Sequence, residues 1–390
     1  MRRSVRGAVL VAGLAAASLP ASEAWPGALS DLADQLQRIQ ARVAAGDKGA
    51  YADELKQLKA MGAEIAAAKT GVWSDRREVD SLVLYVLSGG ALTDVVSLLK
   101  GDAVVASERQ LLRGSVAYIT NNEADALEAL GALDVNAVDL RVAGPIAFAL
   151  SVLKTKRDPK AATSLLDWAR LVAPGSLVEE AALRREIALV AESGDAPGVA
   201  MLTRQYATRF GASPYAADFF RELAHAIARF GLADETGNFQ LLAEATSSLP
   251  PEERRDFLLT LAKAAVVKAR FAAAAAAGAE ALRGAAAGSQ DEARARLYLD
   301  AGQLLSDKHD AARADLQNLA AARLDRSDAA LLAAIRTIAG QLRTMPDAGA
   351  VEAQDETSAP KAEAARTMEI AEEALKRTEP MLSGGEGAAP

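Results

Sequence analysis

The sequence predicts an all-α protein: a right-handed α-solenoid of degenerate tetratricopeptide-like helical hairpins, followed by a flexible acidic C-terminal tail. Three observations lead to this prediction. The composition is rich in helix formers, above all Ala, whereas aromatic residues make up only 4% of the 390 residues. Apolar residues recur with helical rather than strand spacing along most of the chain. Helix pairs follow one another at intervals of about 30 to 40 residues, which is typical of helical repeat arrays.

Composition and charge exclude several classes of function. The chain has no Cys, so it forms no disulfide, thiolate metal site or catalytic thiol. It has two His, His225 and His309, which are too few for a His-rich metal centre. Its net charge of −8 is opposite in sign to that of a typical nucleic-acid-binding protein. We therefore expect no cofactor, no bound metal and no nucleic-acid partner.

The N-terminus has the organisation of a secretory signal peptide. Three of the first six residues are arginines, and an uncharged apolar stretch follows at 7–19. Ser22 and Ala24 are small residues suited to cleavage after Ala24, with Ala21 as the alternative cleavage point. We predict that residues 1–24 are removed and that the mature chain is periplasmic. No later stretch reaches about 18 consecutive apolar residues, so we expect no membrane insertion of the mature chain.

An N-terminal helical hairpin is predicted for residues 25–70. Two apolar stripes with helical spacing support it: Leu32, Leu36, Ile39 and Val43 in the first helix, and Leu55, Leu58, Met61 and Ile65 in the second. The apolar run at 82–87 has the length of a buried strand. We interpret it as part of a third helix, which Ser74 or Asp75 caps and which runs through Leu87, because the charged turn before the run and Gly89-Gly90 after it fit helix ends.

A helical-repeat solenoid is predicted for residues 71–344. The clearest unit has small residues at Ala162 and Ala169, which let two helices approach closely, and Pro174 then breaks the chain. Similar helix pairs are predicted at 176–211, 214–248, 250–283, 289–324 and 326–343. An array of about seven hairpins would not share one core, so we favour a solenoid over a compact bundle.

The pattern ends at residue 345. Residues 345–390 contain ten acidic and four basic residues, several Pro and Gly, and few residues of the size found in cores. This composition is typical of disordered segments. We predict a largely disordered tail, in which residues 361–378 could form a short amphipathic helix.

Searches for catalytic patterns find little. The sequence has no nucleophile elbow, P-loop, dinucleotide-binding fingerprint or zinc-protease motif. Adjacent Glu pairs occur at 179–180, 252–253 and 372–373, but neighbouring helix residues point about 100° apart and do not converge on one substrate. We interpret the pairs as structural, His225 as an ordinary helix residue and His309 as a solvated turn residue. The protein is therefore predicted not to be an enzyme.

The segment 165–195 contains more recognisable helix-capping and helix-pairing signals than any other part of the sequence. Ser176 is placed to cap a helix, with Glu179 completing a capping box. Glu180 and Arg184 have the i, i+4 spacing of a helical ion pair.

Four residues in and near this segment are candidate partner contacts, because long or aromatic side chains are typical interface anchors: Arg184, Arg185, Tyr206 and Arg209. Ordinary packing or solvated pairing is the equal alternative for each of them.

Residues 36–47 (LQRIQARVAAGD), the segment 165–195, Arg204-Gln205-Tyr206 and Arg209-Phe210 together resemble the periplasmic motility protein MotC family of alphaproteobacteria. The resemblance extends over 32–70 and 160–230 and is looser over 262–345. It implies a non-enzymatic folding and stability partner of the stator protein MotB, required for flagellar rotation. It assigns no functional residue and says nothing of the tail.

Three alternatives stay open from the sequence. A general cell-envelope assembly adaptor with tetratricopeptide-like repeats would have the same helical pattern. A peptidoglycan-lytic enzyme with a superhelical domain would need a catalytic carboxylate, for which the sequence offers no good candidate. A chain that only scaffolds its own oligomer is the third alternative.

Overall fold

The computed structural model describes residues 28–342, without the side chains of Ala106, Ser107 and Leu342. The predicted signal peptide, the acidic tail and the helix at 361–378 lie outside the described residues. Regular structure within 28–342 is helical, and this range contains no strand.

The α-helices of this range are the following: α1 Ala28–Ala44, α2 Ala50–Ala67, α3 Arg76–Leu87, α4 Thr93–Lys100, α5 Ala106–Ile119, α6 Glu123–Leu130, α7 Leu140–Lys154, α8 Pro159–Val172, α9 Leu177–Glu192, α10 Ala196–Phe210, α11 Ala216–Phe230, α12 Thr236–Ala245, α13 Pro251–Val267, α14 Phe271–Arg283, α15 Gln290–Gln303, α16 His309–Asn318 and α17 Arg326–Leu342. Short 3-10 turns lie at Thr70–Ser74 and Ala321–Arg323. Of the described residues, 28–336 belong to one compact unit.

The apolar run at 82–87 is helical, as predicted, and forms the second half of α3. Asp75 caps this helix, since its carboxylate accepts a hydrogen bond from the Arg77 N–H at 2.9 Å. Helix α3 contacts α1, α5 and α7, and its apolar side chains are buried on several sides. A helix covered on several sides has no polar stripe, which is why its sequence resembles that of a buried strand.

The predicted helix pairs are confirmed from 176 to 324. Each of the ranges 176–211, 214–248, 250–283 and 289–324 contains two α-helices. The pair predicted at 326–343 was wrong, because this stretch forms one helix, α17. It contains no Pro and no Gly before Gly340, so nothing in its first three turns ends the helix.

Helix contacts are mainly between near neighbours in the chain. From α7 onward each helix packs against the next helix or the one after it, as in α7 with α8 and α9, α9 with α10 and α11, α11 with α13, and α13 with α14 and α15. The even-numbered helices α10, α12 and α14 also contact one another in order. In the N-terminal half some contacts join helices that are further apart in the chain, α1 with α9 and α3 with α7.

Alanine and glycine let the helices α14 and α15 approach closely. Helix α14 contains a run of six alanines at 272–277, of which Ala273, Ala274 and Ala277 are buried. A Cβ atom on Gly302 would lie 2.5 Å from the backbone nitrogen of Ala275, and one on Gly278 would also meet backbone atoms of the facing helix. The alanine run is therefore part of a tight helix–helix seam, which larger residues would force apart.

Within residues 28–342, no helix has both the length and the apolar character needed to cross a membrane.

Candidate functional site

The first turn of α9 is fixed by a cap and a carboxylate. The Oγ of Ser176 accepts a hydrogen bond from the Glu179 N–H at 3.3 Å, as the capping-box pattern predicts. The Glu179 carboxylate accepts from the Gly175 N–H at 2.5 Å, one residue earlier than in the standard capping box. Arg209 on α10 donates to the same Glu179 oxygen at 2.7 Å. The helix start is thereby tied to the next helix.

Glu180 is the most deeply buried carboxylate of this region, with 0% of its surface exposed. Its Oε1 accepts hydrogen bonds from the Tyr206 hydroxyl at 2.8 Å and from the Ser213 hydroxyl at 2.6 Å. Burial raises the pKa of Glu180, and these two hydrogen bonds offset only part of that effect. The side chain therefore joins α9, α10 and the α10–α11 connection inside the core.

The predicted Glu180–Arg184 ion pair was wrong. No ion pair joins Arg184 to a carboxylate within residues 28–342, and the Nε of Arg184 is buried without an acceptor there. The reason is that the Glu180 carboxylate points into the core, toward Tyr206 and Ser213. The guanidinium carbon of Arg184 lies instead 5.1 Å from the ring centroid of Tyr215.

Tyr206 packs at the centre of an aromatic cluster. Its ring centroid lies 4.1 Å from that of Phe219, and Phe210 and Phe220 lie within 6 Å of it. Burial and the neighbouring Glu180 raise the pKa of the Tyr206 hydroxyl. All these contacts are internal, so the structure gives Tyr206 a packing role, and its partner contact stays a prediction.

Arg185 and Arg209 have internal acceptors. The Nη2 of Arg185 donates to the Thr155 hydroxyl at 3.0 Å. Arg209 pairs with Glu179, and 46% of its side chain is exposed. Their partner contacts also stay predictions, but any partner would have to compete with these bonds.

The N-terminal hairpin packs against the same region. Gly46, between α1 and α2, has a φ of +88°, and a Cβ atom there would lie 2.3 Å from the carbonyl oxygen of Ala212. Only glycine fits such a close approach in a left-handed conformation. The two segments with the clearest family resemblance, 32–70 and 160–230, therefore meet at this contact.

Exposed aromatic and apolar side chains lie beside the junction. Tyr51 and Leu55, one turn apart on α2, are 56% and 47% exposed, and Tyr215 is 37% exposed. Burial raises the pKa of Tyr215, and the nearby Glu54, Glu180 and Tyr51 raise it further, which places these groups in its vicinity. We name the surface formed by Tyr51, Leu55, Arg184 and Tyr215 the junction patch.

A second buried network lies between α13, α15 and α17. Asp328 is fully buried and accepts from the Tyr298 hydroxyl at 2.7 Å, from the Lys263 ammonium at 2.9 Å and from the Arg294 Nε at 3.2 Å. Sequence reasoning missed this network and the Glu180–Tyr206–Ser213 bonds. The residues of each network stand far apart in the sequence, at spacings that form no known motif, so only the fold brings them together.

Asp80, His225 and His309 have surroundings that are poorly suited to catalysis. Asp80 is buried, and burial raises its pKa to about 6, but the cavity beside it measures only about 10 Å³. That volume holds about one water molecule and no sugar ring. His225 is exposed on α11, and His309 lies at an exposed helix start beside the Ser306 carbonyl. Within residues 28–342, no group of three or more His, Asp or Glu could hold a metal ion.

Comparison with known proteins gives a family. The family model described as "Chemotaxis protein MotC" matches residues 3–386. A protein named "Chemotaxis protein MotC" from Rhizobium meliloti (strain 1021) is 29% identical over 242 residues, which are 60% of this chain and 53% of the relative. The chain thus spans about half the length of the curated relative it matches. No solved structure matches. Because the family model covers nearly all of the sequence, the chain belongs to the MotC family of chemotaxis and motility proteins.

Proposed function

We propose that this protein is a periplasmic, non-enzymatic protein-binding factor that stabilises or folds the periplasmic part of the flagellar stator protein MotB, and that flagellar rotation depends on it. The observation that carries the proposal is its membership of the MotC family. The stator subunit as partner follows from the resemblance given above. The arginine-rich start and apolar stretch at the N-terminus support a periplasmic location.

The helix contacts support a solenoid of tetratricopeptide-like hairpins. Successive odd-numbered helices from α7 to α15 pack in order, and so do α10, α12 and α14. Nearest-neighbour packing of this kind is typical of helical repeat arrays. Such arrays offer an extended surface to a segment of another protein, which agrees with a role in binding rather than catalysis.

Co-elution tests the proposal directly. The mature chain and the periplasmic domain of MotB from the same organism are run separately and together on a sizing column at moderate salt. We expect one shared peak, because a dedicated partner should survive salt that screens weak surface charges. Separate peaks from two folded proteins would refute the proposed partner.

A clean deletion of the gene tests the role in the cell. The expected phenotype is loss of swimming with flagellar filaments still assembled, and a lowered amount of MotB. Normal motility in the deletion strain would refute the proposal. Loss of envelope integrity with normal motility would favour the general envelope adaptor instead.

A further inference from the structure

We infer that the junction patch, Tyr51, Leu55, Arg184 and Tyr215, is a docking surface for a segment of the partner protein that presents a carboxylate flanked by apolar side chains. The inference rests on the proposed function, since it names the surface and the partner chemistry for the same binding role.

The first argument is the exposure of large side chains at one place. Tyr51, Leu55 and Tyr215 are large apolar side chains that are exposed to solvent in the part of the chain that the structure describes. Tyr and Arg are enriched at the centres of protein interfaces, because they supply large contact areas together with hydrogen bonds. The patch combines both residue types with an aliphatic side chain.

The second argument is that the Arg184 side chain has no acceptor for its hydrogen bonds within the described residues. Neighbouring arginines have internal acceptors: Arg170 donates to Glu186 and Gln205, and Arg209 donates to Glu179. Arg184 has no such acceptor within residues 28–342, although it is half-buried and its Nε is fully buried. A guanidinium with free donors in a partly dry setting binds carboxylates well, often through two parallel hydrogen bonds.

No hydrogen bond or ion pair joins Arg184 to the carboxylate that stands one turn away on α9, that of Glu180. The Oε1 of Glu180 accepts from Tyr206 and Ser213 inside the core, and its Oε2 is buried without a hydrogen-bond partner, so the charge of Arg184 acts on Glu180 only from a distance. Moving that carboxylate outward would break both hydrogen bonds and leave the Tyr206 hydroxyl unsatisfied. A carboxylate from another protein can accept hydrogen bonds from Arg184 without breaking those two bonds of Glu180. Charge complementarity thus selects an acidic segment as the occupant.

The third argument is that the patch is held in place from both sides. Tyr215 follows the α10–α11 connection, and Tyr51 follows the α1–α2 connection. The two connections touch at the close approach of Gly46 to Ala212. The ring of Tyr215 is further held by the Arg184 guanidinium stacked on it. A patch fixed in this way loses little conformational entropy on binding.

Affinity measurements with full-length mature protein and the immobilised periplasmic domain of MotB test the inference. We expect Arg184→Ala and Tyr215→Ala each to weaken binding about 10-fold or more, and Tyr51→Ala somewhat less, because central anchors dominate interface energy. Arg184→Lys should recover part of the loss, since it restores the charge without the planar donor pair. Tyr51→Ala removes an exposed side chain, so it preserves the fold even where Tyr215→Ala does not.

Matched controls come from the same chain. Arg229 stacks on Phe230, with its guanidinium carbon 5.2 Å from the ring centroid, and Leu305 is an exposed leucine. Arg229→Ala and Leu305→Ala should leave the affinity within about 2-fold of wild type, since they lie outside the patch. Circular dichroism melting curves of all variants confirm that they are folded.

The outcomes separate this inference from the proposed function. Wild-type binding that patch variants weaken and controls preserve supports the inference. Wild-type binding that no folded patch variant changes overturns the inference and leaves the proposed function intact. Absence of wild-type binding overturns both. A wild-type dimer that Arg184→Ala converts to monomer would assign the patch to a second copy of the chain and overturn the inference as stated.

Discussion

Asp300 on α15 offers the sharpest test of the packing, because it is an acid with no basic partner in an ion pair within the described residues. Only 7% of its surface is exposed. Burial and, to a smaller extent, the charge of Asp315 raise the pKa of this carboxyl from 3.8 to about 7, and Arg296 offsets only part of their effect. The substitution Asp300→Asn keeps the shape of the side chain and removes its ionisation.

The magnitude follows from the two pKa values. In the folded protein Asp300 keeps its proton up to about pH 7, whereas in the unfolded chain it loses it near pH 4. The folded state therefore binds more protons in this window, so stability falls as the pH rises through it. The stabilising contribution is complete below pH 4 and lost above pH 7. Between pH 5 and pH 8 it amounts to about 3 kcal/mol, at 1.36 kcal/mol for each pKa unit.

Urea unfolding followed by circular dichroism at pH 5 and pH 8 measures this contribution. The free energy of unfolding of Asp300→Asn, relative to wild type, should rise by about 3 kcal/mol from pH 5 to pH 8. Asp256→Asn is the matched control, since it makes the same change at an exposed position of α13. An advantage of Asp300→Asn that is equal at both pH values would refute the reasoning.

Three further variants test the contacts described above. Gly46→Ala places a Cβ atom against the Ala212 carbonyl at a residue with left-handed backbone conformation. It should lower the free energy of unfolding in urea by at least about 1–2 kcal/mol and make the α1–α2 hairpin accessible to limited proteolysis. An unchanged proteolysis pattern would contradict this. Tyr206→Phe leaves Glu180 with one donor and should lower the free energy of unfolding by about 1.5–3 kcal/mol, so a loss below about 0.5 kcal/mol would show that the bond is replaceable. Asp328→Asn leaves the partly buried Lys263 without its counter-charge and Arg294 with Asp291 alone, and it should cost about 3 kcal/mol, measured in the same way; a neutral result would mean that these cations reach solvent instead.

Local sequence signals predicted the helices and their starts well. Ser176 and Asp75 cap α9 and α3, as their positions before apolar periodic stretches indicate. The continuous apolar run at 82–87 was correctly assigned by its flanks rather than by its hydrophobicity. Such signals act over a few residues, so they are visible in one sequence without any knowledge of the fold.

The candidate site was predicted only in part. The sequence indicated that 165–195 is rich in helix-capping and helix-pairing signals, and this segment contains Arg184, which makes no hydrogen bond or ion pair through its side chain within residues 28–342. It did not indicate that Gly46 meets Ala212 or that Tyr51 lies near Tyr215. Helical periodicity shows which face of a helix is apolar, but it does not show which distant helix covers that face. The contact between α1 and α9 depends on how all the intervening helices pack.

The buried networks explain how an alanine-rich chain can specify one packing. Ala faces are all alike, so a helix that slides by one turn along such a face loses few contacts. A buried carboxylate is different, because it is costly unless its donors stand opposite it. Any register that separates Asp328 from Tyr298 and Lys263, or Glu180 from Tyr206, leaves a buried charge without partners and costs several kcal/mol. No gain in Ala–Ala contact repays that cost, and the networks therefore fix the register that the alanine seams leave open.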